Sequence, residues 1–127
     1  MTVNQLLCGV RIAAAAEGLS LAAEVGVDPE IMLEILGGLS AASWMLKDRG
    51  PRMIQADPPL SNAFAIFVED LTIVLEAGRD SKAALPLAAV AHQVFLASSG
   101  RGDGTADDSQ VIRSYAVLNR LRNSDRA

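Results

Sequence analysis

An intrachain disulfide is closed to this sequence, because Cys8 is its only cysteine. A reducing cytoplasm is therefore the expected compartment. Aromatic side chains are almost as scarce: Trp44, Phe64, Phe67, Phe95 and Tyr115 are all that the 127 residues hold. That leaves little from which to build a base-stacking platform. Positive charge is also in deficit, with a net charge of −4 and a pI near 4.8. The basic footprint that phosphate backbones require is missing, and no nucleic-acid partner is expected. Arg120, Arg122 and Arg126 do gather near the C-terminus, but Asp125 interrupts them, and a solvated helix end accounts for the cluster. The longest uncharged run, Ala83 to Gly100, contains Pro86, His92, Gln93 and two serines and reads as a core helix rather than a membrane span. The first apolar stretch carries Arg11 and Glu17 without a basic leader, so neither a secretory signal nor a membrane partner is expected.

What is present is helix. Half of the residues are apolar, dominated by alanine and leucine, and no segment alternates with a period of two. A first helix is predicted from about Val3 to Glu24, ending at Gly26. Val3, Leu7, Val10, Ala14, Gly18 and Leu21 mark one of its faces, and Ala13 to Ala16 admit a close neighbour. A second starts at Asp28-Pro29-Glu30, a capping residue, a first-turn proline and an acid at the positive dipole end, and stops at Gly37-Gly38. A third covers Ser43 to Ile54, broken or kinked near Gly50-Pro51. Ser61 or Asn62 caps a fourth, with Phe64, Phe67, Val68, Leu71, Val74 and Leu75 on its apolar face, closing at Gly78. Pro86 opens a fifth bearing Leu87, Val90, Val94 and Phe95, ending at Gly100 before a loop to Thr105. Asp107 or Asp108 caps a last helix with Val111, Ile112, Tyr115 and Leu118. The domain is expected over residues 1–119, with 120–127 as a flexible tail. The fold class is all-α, a bundle of five to six helices.

The inventory of reactive groups is thin. His92 is the only histidine and stands among Val90, Ala91 and Val94, with no partner at helical spacing. Cys8 lies on an apolar helix and reads as an inert core thiol. Asp107-Asp108 is explained by helix capping, and no further oxygen ligands follow at loop spacing, so no metal is expected. Glu69 and Asp70 are adjacent on a helix and diverge by about 100°. The glycines of Gly100–Gly104 and of Gly37-Gly38 follow helices rather than strands, and no phosphate-binding lysine accompanies them. Without a βαβ unit there is no dinucleotide fold, and no cofactor is expected for this chain alone.

Several short segments in order resemble one family. They are Val3-Asn4-Gln5-Leu6-Leu7 with Gly9-Val10 and Ala13 to Glu17, then Ser43-Trp44-Met45, Arg52-Met53, Ile66 to Leu71, Leu85 to Ala88, and Asp107 to Ile112. Together they resemble the C-terminal helical domain of the β-hydroxyacid dehydrogenases, the 3-hydroxyisobutyrate and L-threonate dehydrogenase group. The resemblance implies a fold like the C-terminal domain of 6-phosphogluconate dehydrogenase. It also implies NAD or NADP in full-length relatives, bound by an N-terminal Rossmann domain to which this sequence has no counterpart. In that family the helical domain supplies the substrate end of the active site and much of the dimer contact. Asn4 and Gln5 match the family's substrate-side positions, while its catalytic lysine falls on Met1. A second family lysine, near the cofactor, is replaced by Glu69, beside a matching Asp70. The small polar loop before Ser43-Trp44 reads Leu39-Ser40-Ala41-Ala42.

Two functions follow as expectations. In the first, the chain is a C-terminal dehydrogenase-like domain, excised or encoded alone, that folds and dimerises without redox activity. In the second, the bundle is redeployed as a small-molecule binder or a non-redox enzyme, for which Glu69, Asp70, Lys47 and His92 are the available acid–base groups. The expected partners are a second copy, as a homodimer or larger, or a separate Rossmann-domain protein.

Overall fold

A computed structural model describes the backbone of residues 2–126 and the side chains of residues 2–63 and 65–119. Six α-helices and no strand are found among the described residues: α1 Thr2–Glu24, α2 Pro29–Leu36, α3 Trp44–Met53, α4 Phe64–Ser81, α5 Pro86–Ser98 and α6 Ile112–Arg126. The expected position of a family lysine at Met1, and the side chains of the expected tail with its arginines, lie outside the described residues.

Helix α1 is the axis of the bundle, and α3, α4, α5 and α6 all pack against it. Its buried face consists of Gly9, Ile12, Ala13, Ala16, Leu19, Ser20 and Ala22. The face marked by Val3, Leu7 and Leu21 instead points outward, these side chains being 73%, 43% and 62% exposed. Apolar residues occur all round this helix, so spacing alone fits more than one face. By length and composition α1 is also the one described helix long and apolar enough to cross a membrane, a test that a bundle's central helix passes as readily.

Local chemistry sets the other boundaries. Asp28 caps α2 by accepting the Glu30 N–H at 2.9 Å, and Ser43 caps α3 by accepting the Leu46 N–H at 3.0 Å. Helix α3 runs through Gly50-Pro51 as one element. Helix α4 does not close at Gly78; it continues to Ser81 and ends on Lys82 in the left-handed conformation, φ 57°. Gly78 serves packing instead, since a Cβ there would stand 2.6 Å from Leu85 Cδ1. Neither Ser61 nor Asn62 caps α4, which begins after Ala63 without a side-chain cap. On α5 the buried residues are Ala88, Ala91, Phe95 and Ser98, while Leu87 and Val90 are exposed. The helix gives way at Ser99 to a wide π-type turn ending at Asp103, with Gly102 at φ 90°, so the expected loop is partly helical. Phe67 of α4 and Phe95 of α5 stack at the core with ring centroids 5.5 Å apart.

Candidate functional site

The N-terminal turn of α1 meets the first half of α4, and three of the expected site residues come together there. Gln5 Nε2 donates to Asp70 Oδ2 at 2.7 Å, and Asn4 Nδ2 donates to Gln5 Oε1 at 3.1 Å. A carboxylate can only accept, so Asp70 fixes which end of the Gln5 amide it meets. The Gln5 oxygen then turns to Asn4 and orients that amide in turn. Asn4 is exposed, and Gln5 and Asp70 are half-buried. The result is a short polar relay, anchored on a negative charge, that leaves the Asn4 carbonyl oxygen for a partner outside the chain.

The other expected acid–base groups do not join it. Glu69 is exposed next to Asp70. His92, half-buried on α5, sits 3.1 Å from the Thr72 hydroxyl, which itself donates to the Val68 carbonyl at 2.8 Å. The ring nitrogen facing Thr72 is therefore the donor, and the pair staples α5 to α4. Lys47 lines a separate cleft of about 580 Å³ between α2 and α3, with Leu33, Glu34, Trp44 and Pro51. Cys8 is half-buried against the core. A second cavity, about 490 Å³, runs between α1 at Arg11, Ala14, Ala15 and Gly18 and the segment Ser40–Ser43.

The densest charge cluster is one that sequence reasoning assigned to capping. Asp107 does cap, but a 3-10 turn over Asp108–Val111 that precedes α6 rather than α6 itself, accepting from the Ser109 N–H at 3.2 Å. It also accepts from the Ser109 hydroxyl, from the backbone N–H groups of Ser61 and Asn62, and from Arg52 Nε at 3.0 Å. Asp108 is no cap. It is wholly buried and accepts both Nε and Nη2 of Arg49 at 3.0 Å, a bidentate pair. Arg49 reaches Asp48 as well, at 2.6 Å. Burial opposes ionisation of Asp107, but its hydrogen bonds from Ser109, Ser61, Asn62 and Arg52 outweigh burial and bring its pKa down to about 2. For Asp108 burial wins over Arg49, helped by the neighbouring Asp107 charge, and the carboxyl titrates above its ordinary range. The signal was present in the sequence: Met45, Arg49, Arg52 and Met53 share one face of α3, and two arginines on a core-facing stripe need buried anions. The cluster ties α3 to the start of α6. With every carboxylate already engaged, it is architecture rather than a reaction centre. No group of metal-ligating side chains occurs among the described residues.

Residues 2–115 match the family described as NAD-binding of NADP-dependent 3-hydroxyisobutyrate dehydrogenase. The L-threonate dehydrogenase of Cupriavidus necator is 44% identical over 113 residues, covering 89% of this chain and 38% of the relative. The L-threonate dehydrogenase of Escherichia coli K12 is 36% identical over 116 residues, 91% of this chain and 38% of the relative. A crystal structure of 3-hydroxyisobutyrate dehydrogenase from Salmonella typhimurium superposes with a TM-score of 0.86 at 38% identity, over 88% of this chain and 39% of that one. The 3-hydroxyisobutyrate dehydrogenase of Mycobacterium tuberculosis shares the fold, with a TM-score of 0.76 at 20% identity, over 89% of this chain and 41% of that one. The chain thus spans about two-fifths of the length of the relatives it matches.

Proposed function

The chain belongs to the 3-hydroxyisobutyrate dehydrogenase family, whose described role is NAD binding, and from that premise we propose that it is the substrate-side, self-associating helical domain of a hydroxyacid dehydrogenase-like protein. It is redox-inactive without a Rossmann domain, whether that domain shares the polypeptide or not. The observation that carries this reading is the Asn4–Gln5–Asp70 relay. Two family positions on α1 and one on α4 meet in a geometry that presents a polar amide outward. Asn4 would accept a hydrogen bond from a hydroxyl of a small hydroxy acid through its carbonyl oxygen, and Asp70 would hold the amide in place through Gln5.

The residues present do not make a dinucleotide site by themselves. There is no strand-to-helix turn among the described residues to cradle a pyrophosphate. Glu69 and Asp70 side by side repel phosphate by Coulomb interaction. Calorimetry of the chain with NAD(H) and NADP(H) is expected to show no micromolar binding, and L-threonate no turnover. Adding the separately purified Rossmann domain of an L-threonate dehydrogenase is expected to shift the amide resonances of Asn4, Gln5 and Asp70 first. Cofactor binding or turnover by the chain alone, or docking that leaves those three resonances unmoved, refutes the proposal.

A further inference from the structure

One cavity stands apart from the Asn4–Gln5–Asp70 relay. It holds about 350 Å³ where the last turns of α1, the end of α3 and the first half of α6 meet. At 1.5 Å per residue, Ser20 in its wall lies roughly 24 Å along α1 from Asn4. Leu19, Met53, Ile54 and Ile112 make most of the lining apolar, and the exposed Ala23 and Ala116 leave its mouth open.

The polar part of that lining is unfinished. Gln110 is 2% exposed, and its amide nitrogen donates to the Arg52 carbonyl at 2.9 Å and to the Ser109 hydroxyl at 3.1 Å. Its Oε1 accepts from no described residue, although an acceptor on so buried a side chain costs free energy when left unpaired. That oxygen is not sealed away, because the one fully enclosed side-chain polar atom without a partner among the described residues is Arg52 Nη2. What reaches it is the cavity that Gln110 lines. On the α1 wall, Ser20 Oγ accepts from Asn119 Nδ2 at 3.0 Å, and its own hydroxyl hydrogen has no acceptor among the described residues. Charge is largely spent: Arg113 already donates to Asp103 and to the Ala56 carbonyl, and the other ionised side chain of the lining is the acid Glu24.

An open acceptor and an open donor call for a group that both donates and accepts, and a hydroxyl does so without charge. We infer that this cavity binds a small uncharged alcohol or phenol, its hydroxyl donating to Gln110 Oε1 and its apolar body lying against Leu19, Met53, Ile54 and Ile112. The volume equals about a dozen waters at liquid density, enough for one ring with a short substituent. A carboxylate can only accept, so it would leave Gln110 unpaired and meet the charge of Glu24. An ammonium would give up hydration that a mostly apolar wall does not replace. The site therefore takes a different class of molecule from the hydroxy acid proposed at Asn4, and it stands whether or not that reading does.

The test is a titration of the full chain followed by its amide resonances, with p-cresol and p-xylene as probes that differ only in hydroxyl against methyl. p-Cresol is expected to shift Ser20, Gln110 and Ile112 saturably, with a Kd below about 1 mM, while Asn4 and Gln5 stay still. p-Xylene should bind about tenfold more weakly, and p-toluate and 4-methylbenzylammonium more weakly still. Ala23→Leu combined with Ala116→Leu fills the mouth with good helix formers, so it should keep the helical circular dichroism and abolish the shifts. Equal affinity for p-xylene, tighter binding of either charged probe, shifts that survive the double variant, or no saturable shift with p-cresol at several millimolar would each overturn the proposal.

Discussion

Replacing Arg49 by methionine leaves a buried carboxylate with its main counter-charge removed, and the structure says how severe that should be. Asp108 has no exposed side-chain surface, and Arg49 supplies both of its short contacts at 3.0 Å. The next cation, Arg52 Nη2, is 3.9 Å away, at ion-pair distance but beyond a hydrogen bond. Breaking a buried pair from one side typically costs about 3–5 kcal/mol. Against a total stability of roughly 5–15 kcal/mol, that is a large fraction. With a urea slope of about 1–3 kcal/mol per molar, the midpoint should fall by about 2 M at pH 7 and fixed protein concentration. The loss should shrink as pH falls. Asp108 already titrates above its ordinary range, and without Arg49 it rises further, so the folded variant takes up a proton more readily than the unfolded chain and recovers stability in acid. Asp108→Leu should cost less, because Arg49 keeps Asp48 at 2.6 Å. The double variant Arg49→Met with Asp108→Leu should return to within about 1 kcal/mol of the parent, since an apolar replacement of a buried pair is often neutral. A midpoint shift under about 0.5 M for Arg49→Met at pH 7 would refute the assignment of this pair to the buried core.

Asp107 should behave in the opposite sense to Asp108. Its folded pKa of about 2 lies below the unfolded value, so the stability it contributes is present above about pH 4 and disappears as pH falls toward 2. Asp107→Asn should therefore lose about 2 kcal/mol at pH 7 and little at pH 2, read as the difference in melting temperature at the two pH values. Gly78→Ala should destabilise by about 1–2 kcal/mol in urea unfolding, because the added methyl meets Leu85 and also the Ala83 carbonyl oxygen at 3.2 Å. Lys82→Gly should stabilise by about 1 kcal/mol, since the residue sits at φ 57° at the end of α4; an unchanged midpoint would mean the left-handed cap is not populated in solution.

The helices were legible because their ends carry local chemistry. Asp28, Pro29 and Ser43 fix boundaries through contacts two or three residues away, and the structure places α2 and α3 where those residues demand. The inward faces were less so. On α1 apolar residues surround the axis, and on α5 the bulky Leu87 and Val90 face out while Ala88 and Ala91 face in. Hydrophobicity names what can be buried, but close helix packing chose the small side chains. At the candidate site Asn4, Gln5 and Asp70 were visible through the family resemblance. Their meeting, 65 residues apart for Gln5 and Asp70, depends on how α1 lies on α4 and is written in no local pattern. Arg49 on the buried stripe of α3 does signal a buried anion, but that Asp108 is the anion depends on how α3 lies against the head of α6.

The knot at Asp107 and Asp108 bears on the order of events as the chain folds. It joins α3, the turn at Ser61–Asn62 and the head of α6, across 59 residues for Arg49 with Asp108 and 46 for Ser61 with Asp107. Closing loops of that length costs chain entropy before any contact repays it, while α4 and α5 can pair across a short connection. The knot is thus expected to form after the rate-limiting step, and substitutions within it should speed unfolding while leaving the folding rate nearly unchanged. Native-state hydrogen exchange would register the same order, the Asp107-bound amides of Ser61 and Asn62 being released as soon as the knot opens, while amides at the α4–α5 contact stay protected until the whole bundle unfolds.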